Sequence, residues 1–318
     1  MRGWQHFARA GLLAAVAIAI ASAPAWGYVR KKTDGGIDEY WQQNCIQLSV
    51  YINDFSDMTR DEIAKSIGAA AHTWSPTAVT CLDGTSHPFF EIAPSLAPAG
   101  TRAPRPAYDG HNTLQFYTAG SPYSDTSAIG SSTIALTSVW ARADGHIVDA
   151  DVQVNAQDLT FRNLDPGWVN DGTFPYDLQN ALTHEFGHLL GLGHTCWDQF
   201  SDFDQPIDDM DAGVPQCFPP PDIVKDTVMF ATISSDAEIT KRYLSKDDIR
   251  GVCAIYPQSG DPHTCALDMP DDGCGCRAAG RSSGGAGLTM LTLFTIAIAR
   301  GRRRRARAKS ATSFPARP

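Results

Sequence analysis

Residues 184–194 read His-Glu-Phe-Gly-His-Leu-Leu-Gly-Leu-Gly-His. Two histidines four apart on a helix project from one face, so His184 and His188 can reach a single metal ion. Glu185, one position past the first, is placed to handle a proton from metal-bound water. Gly191 follows a turn later, where a positive φ ends a helix and reverses the chain. That reversal carries His194 back as a third ligand. Three neutral nitrogens suit Zn²⁺ and leave a fourth position open for water, which distinguishes a catalytic zinc from a structural one. Leu178, Leu182, Leu189 and Leu190 give the same helix an apolar face. A plain core helix has no use for three histidines and a glutamate at metal-ligand spacing, so these residues imply a zinc hydrolase.

The eleven-residue pattern resembles the metzincin metalloproteases, and other segments resemble their matrixin branch. Metzincins carry a methionine in a tight turn beneath the zinc. Met229, in Asp226-Thr-Val-Met-Phe-Ala-Thr232, matches it, and Met210 in an acidic stretch is the rival. Thr195 after the third histidine and Leu244–Tyr256 as a last helix also resemble matrixins. Ile147–Asn155 resembles the edge strand of their substrate cleft. By that likeness Val152, Gln153, Val154 and Asn155 are expected to pair with an extended substrate. The resemblance covers roughly residues 40–257 and implies an α+β, zincin-like domain. Its expected parts are a twisted, mostly parallel five-stranded sheet, an active-site helix and a C-terminal helix. It further implies one catalytic Zn²⁺, a protein or peptide substrate, and hydrolysis by metal-activated water with Glu185 as general base. The chain departs from the pattern in three places, one being that no cysteine-switch propeptide is visible, so the usual latency mechanism is not carried over. Thirty-four residues separate His194 from Met229, so 195–226 reads as an inserted loop, and Phe230-Ala231 stands where Tyr-Pro is familiar.

The elements that must hold these residues are visible upstream and downstream. Ile46, Leu48, Val50 and Ile52 alternate with polar residues, as in a half-buried strand. Thr59-Arg-Asp-Glu62 is a capping box opening a helix whose apolar stripe is Ile63, Ile67, Ala70, Ala71 and Trp74. Further strands are expected at 89–92, 113–117, 133–137 and 147–154. The metal helix should span 177–190 and the last helix 245–255. At the start of that last helix Asp247 and Asp248 look matrixin-like, and Ser245 with Asp248 also suits a simple cap. The Pro- and Ala-rich stretch 94–107 is a surface connection.

The chain of 318 residues allows one large domain with processing segments at both ends. Residues 1–27 have a charged start, a short apolar run and small residues near Ala25-Trp-Gly27, the order of a secretory signal. Residues 28–43 read as a flexible leader, 44–257 as the catalytic domain and 258–285 as a linker and processing region. That region holds Cys274 and Cys276, and the segment 286–305 is a short apolar helix ending in an arginine cluster. A basic tail, 306–318, completes the chain. The fourteen residues Ala286–Ala299 cover about 21 Å of helix against a hydrocarbon core of ~30 Å, a marginal transmembrane span. The order of Cys pair, apolar helix and arginines resembles the C-terminal sorting tags of myxobacteria. It implies export to the cell surface or secretion after a sorting protease acts on the tag, with membrane contact confined to this segment. A plain tail anchor is the other reading.

Twelve of the 26 basic residues and none of the 35 acids lie in 1–27 or 277–318, so 28–276 carries a net charge of −21. So acidic a body disfavours nucleic acid as a partner, and nothing in it asks for more than a monomer. Cys45, Cys81, Cys196, Cys217, Cys253 and Cys265 suggest disulfides in an exported protein. Pairing sequence neighbours gives Cys45–Cys81, Cys196–Cys217 and Cys253–Cys265. Asp198, Asp202, Asp204, Asp208, Asp209 and Asp211 offer the inserted loop carboxylates for Ca²⁺, or simply a solvated face. His72, His87, His111, His146 and His263 lack ligand spacing among themselves. Two other classes stay open: a surface-displayed binding or adhesion protein with a structural zinc, and a zinc hydrolase of a non-protein substrate.

Overall fold

The computed structural model describes residues 27–52, 57–118, 131–165, 168, 172–197, 205–209, 211–219, 221–235, 238–257, 265 and 312–315. In chain order the elements are β1 (Val29–Arg30), β2 (Tyr40–Trp41), β3 (Cys45–Tyr51), α1 (Arg60–Thr73), β4 (Glu91–Leu96) and β5 (Thr113–Tyr117). They continue with β6 (Thr133–Ala141), β7 (His146–Asn155), β8 (Phe161–Arg162), β9 (Tyr176–Asp177), α2 (Leu178–Leu189) and β10 (Leu192–Gly193). The last are α3 (Asp222–Lys225), α4 (Lys246–Ile255) and β11 (Thr312–Pro315). Five longer strands lie side by side in the order β6-β7-β5-β3-β4. β2 pairs with the start of β7, and β11 pairs with the outer side of β6, making seven strands in all. β3, β4, β5 and β7 run parallel to their neighbours among themselves, and β6 runs antiparallel to β7. The architecture is therefore mixed, with a mostly parallel sheet and helices packed on it.

Register decides what each face of the sheet does. Val50 lies opposite Leu114, Leu114 opposite Val152, and Val152 opposite Thr137, so these side chains point to one side. Ile46, Leu48, Ala150, Val154 and Val139 join them in a core shared with α1 and α2. The other side is polar and nonetheless buried. Asp149 accepts backbone N–H bonds from Asp109 and Gly110 at 2.7 and 2.9 Å. Asp151 accepts from the N–H groups of Ala107 and Thr113 and from the Thr113 hydroxyl. The loop before β5 is thus tied down over this face by two carboxylates. Burial drives Asp151 up to about 7, with the charge of Asp149 adding to it and the bond from Thr113 opposing.

β7 is an interior strand, with β5 on one side and β6 on the other, and Asp149–Asn155 is buried without interruption. This corrects the expectation that Val152–Asn155 forms the substrate edge. Covering loops bury the polar face as well, and a strand enclosed on both faces belongs inside a sheet. The outermost long strand on that side is β6.

The leader expectation for residues 28–43 is also overturned. Tyr28, Val29 and Trp41 are buried. Val29 and Arg30 pair with Gly193 and Leu192, and Lys31 N donates to Gly191 O at 2.8 Å. The polar, glycine-containing composition hid three apolar anchors. Among the cysteines, Cys196 and Cys217 are joined as sequence neighbours. The other four pair across the fold, Cys45 with Cys265 and Cys81 with Cys253, instead of Cys45–Cys81 and Cys253–Cys265. The loop after α1 packs on the last helix, where Phe89 N reaches Tyr256 O, and this brings Cys81 to α4. Cys45 opens β3 beside Glu91, whose carboxylate accepts the N–H of Cys265. Three disulfides fit an exported protein. Among the described residues no helix is long and apolar enough to cross a membrane. The signal-like residues 1–26, Cys274, Cys276 and the segment 286–305 lie outside the described residues.

Candidate metal centre

α2 begins at Asp177, whose carboxylate accepts the N–H of Asn180 at 2.8 Å and so caps the helix. The same buried carboxylate accepts from Leu164 N and forms an ion pair with Arg242. Farther along, Trp74 Nε1 donates to Thr183 O at 2.9 Å. At the C-terminal end, the Leu189 and Leu190 carbonyls accept from Trp41 Nε1 and Tyr256 Oη at 2.8 and 2.9 Å. The helix is held along its whole length by side chains from other elements. Gly191 then turns at φ 92, and a side chain there would stand 2.6 Å from the Glu39 carbonyl. Only glycine meets both demands. The reversal leads into β10, which β1 holds by pairing, and β10 delivers His194.

His184, His188 and His194 converge, all buried, with one ligand nitrogen from each within 4.8 Å of the others. Two of them face backbone carbonyls on their far side. His184 Nδ1 donates to Val228 O at 2.6 Å, and His188 Nδ1 donates to Leu192 O at 2.9 Å. Those bonds put the proton on Nδ1 and turn the Nε2 lone pair inward, the tautomer a metal needs. Burial holds all three imidazoles well below their ordinary pKa, and His194 falls to about 3, so they stay neutral. This donor set fits a divalent ion such as zinc. It is the one group of His, Cys, Asp or Glu side chains so placed among the described residues.

Glu185 shares the helix and is buried beside this cluster. Its carboxylate accepts from the Thr137 hydroxyl at 2.5 Å. Burial pushes it up to about 8, opposed first by that bond and then by the charge of Lys31.

Met229 lies directly under α2. A Cβ built on Gly187 would fall 2.2 Å from the Met229 sulfur. The turn carrying Met229 is gripped from two sides. Asp248 accepts the N–H groups of Val228 and Met229 while also capping α4 through Ser245, as the cap reading of the sequence expects. From the other side the fully buried Lys241 donates to the carbonyls of Phe230, Thr227 and Val228 at 2.7, 3.3 and 3.4 Å. Burial lowers Lys241 to about 8 against the pull of Glu238, Asp248 and Asp226. Thr195, next to the third histidine, joins the same turn through its N–H to Met229 O and its hydroxyl to Thr227. Met210 lies outside the described residues.

Sequence reasoning missed Thr137, Lys241 and Arg242. None belongs to a spacing pattern. The one signal available was the Thr137 hydroxyl in a strand otherwise set for burial.

The remaining site expectations scatter. Of the acidic loop, Asp208 accepts the N–H groups of Gly27 and Ala212, and Asp209 pairs with Arg250. Asp198, Asp202 and Asp204 lie outside the described residues. His72 contacts Thr77, His87 contacts Val79 O, His111 contacts Asp109, and His146 contacts Tyr40 and Asp144. His263 lies outside the described residues.

No known family profile matches the chain, and no curated protein matches it. Among solved structures, the crystal structure of myroilysin is similar over 73% of this chain and 92% of that one, at 12% identity and a TM-score of 0.30. That likeness is too loose to carry function across.

Proposed function

We propose that this chain is an exported, zinc-dependent endopeptidase of metzincin type with matrixin-like features. The observation that carries the reading is the buried triad His184, His188 and His194 with Glu185 on the same helix beside it. A zinc ion held by the three histidines would acidify its bound water and polarise the scissile carbonyl. Glu185 takes the proton as water attacks and passes it to the leaving amine. Its burial, which raises the carboxyl, suits a group that must hold that proton between the two transfers. Met229 touches the helix between the two histidines and serves as the apolar floor of the site.

An extended peptide substrate would add to the sheet at the outer side of β6, by main-chain pairing. That this edge accepts an antiparallel strand is supported by Thr312–Pro315 of the chain itself, which pairs there. The acidic body suits a protein working outside the cell, anchored or sorted through its C-terminal segment.

The test is cleavage of unfolded casein by protein produced through an oxidising, exported route. Cleavage lost on chelation, regained with zinc and absent in Glu185→Ala is the expected result. A folded protein that binds one zinc yet cuts neither casein nor a broad peptide library would sink the peptidase reading. It would favour a binding protein or a hydrolase of another substrate.

A further inference from the structure

We infer that Thr137 is a positioning residue for the general base: its hydroxyl fixes the Glu185 carboxylate and ties that carboxylate to the strand on which substrate is laid. The inference rests on the peptidase reading and adds to it a residue outside the metal-binding motif.

Thr137 lies in β6 opposite Val152, so its side chain points at α2 together with Ala135 and Val139. Its neighbours on that face are aliphatic, and it is itself fully buried. Valine has nearly the same shape, suits a strand equally well and carries no polar group to bury. A threonine here needs a partner for its hydroxyl. That partner is Glu185 Oε2 at 2.5 Å, with the Glu185 carbonyl farther off at 3.3 Å. A hydroxyl has one proton, so it goes to the nearer acceptor, the carboxyl oxygen.

A glutamate side chain turns about three bonds, and a base that wanders loses most of its advantage. Thr137 supplies the hydrogen bond to this carboxylate among the described residues. Holding Oε2 leaves Oε1 to take the proton. The backbone of Thr137 meanwhile lies on the outer strand, where it stands opposite Thr312 in the antiparallel pair with β11. One residue therefore touches the reacting base with its side chain and the docking edge with its main chain.

The experiment compares full-length wild type with Thr137→Val, Thr137→Ala and Thr137→Ser in steady-state peptide cleavage, alongside zinc content and thermal midpoint. Thr137→Val should keep zinc, midpoint and KM near wild type while kcat falls about ten- to a hundredfold, the effect of losing one hydrogen bond to a charged group. Thr137→Ser restores the hydroxyl and should recover most of kcat, and Thr137→Ala should behave like Thr137→Val. Should Thr137→Val fail to fold, the Ser and Ala pair decides by the same split. The inference is overturned by an active wild type whose Val or Ala variant turns over within about twofold of it. It is equally overturned if activity falls only in step with zinc content and midpoint, since that marks a packing role. A wild type that cuts nothing would instead remove the peptidase reading, and the inference with it.

Discussion

Gly187, the fourth residue of the His-Glu-Phe-Gly-His motif, is a place where helix propensity and tertiary packing oppose each other. A glycine in a helix costs about 1 kcal/mol relative to alanine, so propensity alone predicts that Gly187→Ala stabilises the fold. Packing predicts the reverse. The added Cβ would stand 2.2 Å from the Met229 sulfur, 3.1 Å from Trp74 Cζ2 and 3.2 Å from Met229 Cε. Neither neighbour is at liberty to yield. Met229 and Trp74 are both buried, Trp74 is bonded to the Thr183 carbonyl, and the turn behind Met229 is gripped by Asp248 and Lys241. Overpacking of this kind costs roughly 1–3 kcal/mol, so the net effect is a loss of up to about 2 kcal/mol.

The larger effect should be on the metal. Pushing Met229 away drags Val228, whose carbonyl orients His184, and loss of such an orienting contact costs roughly 10- to 100-fold in metal affinity. Urea unfolding of the metal-free protein, disulfides intact, gives the first number, and zinc competition with a chelator gives the second. Met229→Ala in the same chain makes room, so the two substitutions together should be less damaging than their sum by at least ~1 kcal/mol. Should Gly187→Ala gain stability and bind zinc as tightly as wild type, the packing argument for this glycine is wrong.

Asp151 and Asp247 both sit near 7, chiefly through burial, well above an unfolded aspartate. The folded state therefore holds extra protons between about pH 4 and pH 7, and their contribution, present below that window, is lost as pH rises through 7. Urea midpoints should fall across this window, with Asp151 accounting for up to about 4 kcal/mol, and an unchanged slope in Asp151→Asn would count against it. Replacing Cys196 and Cys217 by serine opens a link with a sequence separation of 21, which should cost about 3 kcal/mol; a loss below ~1 kcal/mol would mean the loop is ordered without it. Ending the chain at residue 270 removes the strand paired with β6, so KM for extended peptides should drop while kcat holds. An unchanged KM would show that residues 312–315 do not compete for that edge.

How much of this was legible depended on whether the signal was periodic. The His184–His194 spacing, the Thr59–Glu62 capping box and the alternation of Ile46, Leu48 and Val50 are local patterns, and each names its element without help from elsewhere. The position of β7 inside the sheet was not legible. Whether a strand is an edge depends on what pairs with it, and β6 and β5 are brought to it by the whole topology. The two long-range disulfides hid for the same reason, since Cys81 meets Cys253 only once the loop after α1 lies on α4. Residues 28–43 misled through composition, because three buried apolar side chains outweigh nine polar ones in fixing where a segment goes.

The frame around the three histidines is written in isolated buried polar residues, and that explains both its invisibility and its importance. Trp41, Trp74 and Tyr256 each present one polar atom to a carbonyl of α2 or of its C-cap Leu190, Lys241 presents an ammonium to the turn beneath, Asp248 presents a carboxylate to the same turn, and Thr137 reaches Glu185. Burying such groups is unfavourable unless each finds its partner. Here the partners are backbone groups or Glu185, so no complementary residue elsewhere in the sequence announces the contact. Three histidines determine that a metal can bind. The angle at which they meet it, and the direction the glutamate faces, depend on side chains that carry no metal-site signature. Substitutions at those positions should therefore separate metal binding from turnover more cleanly than substitutions of the ligands, which remove both at once.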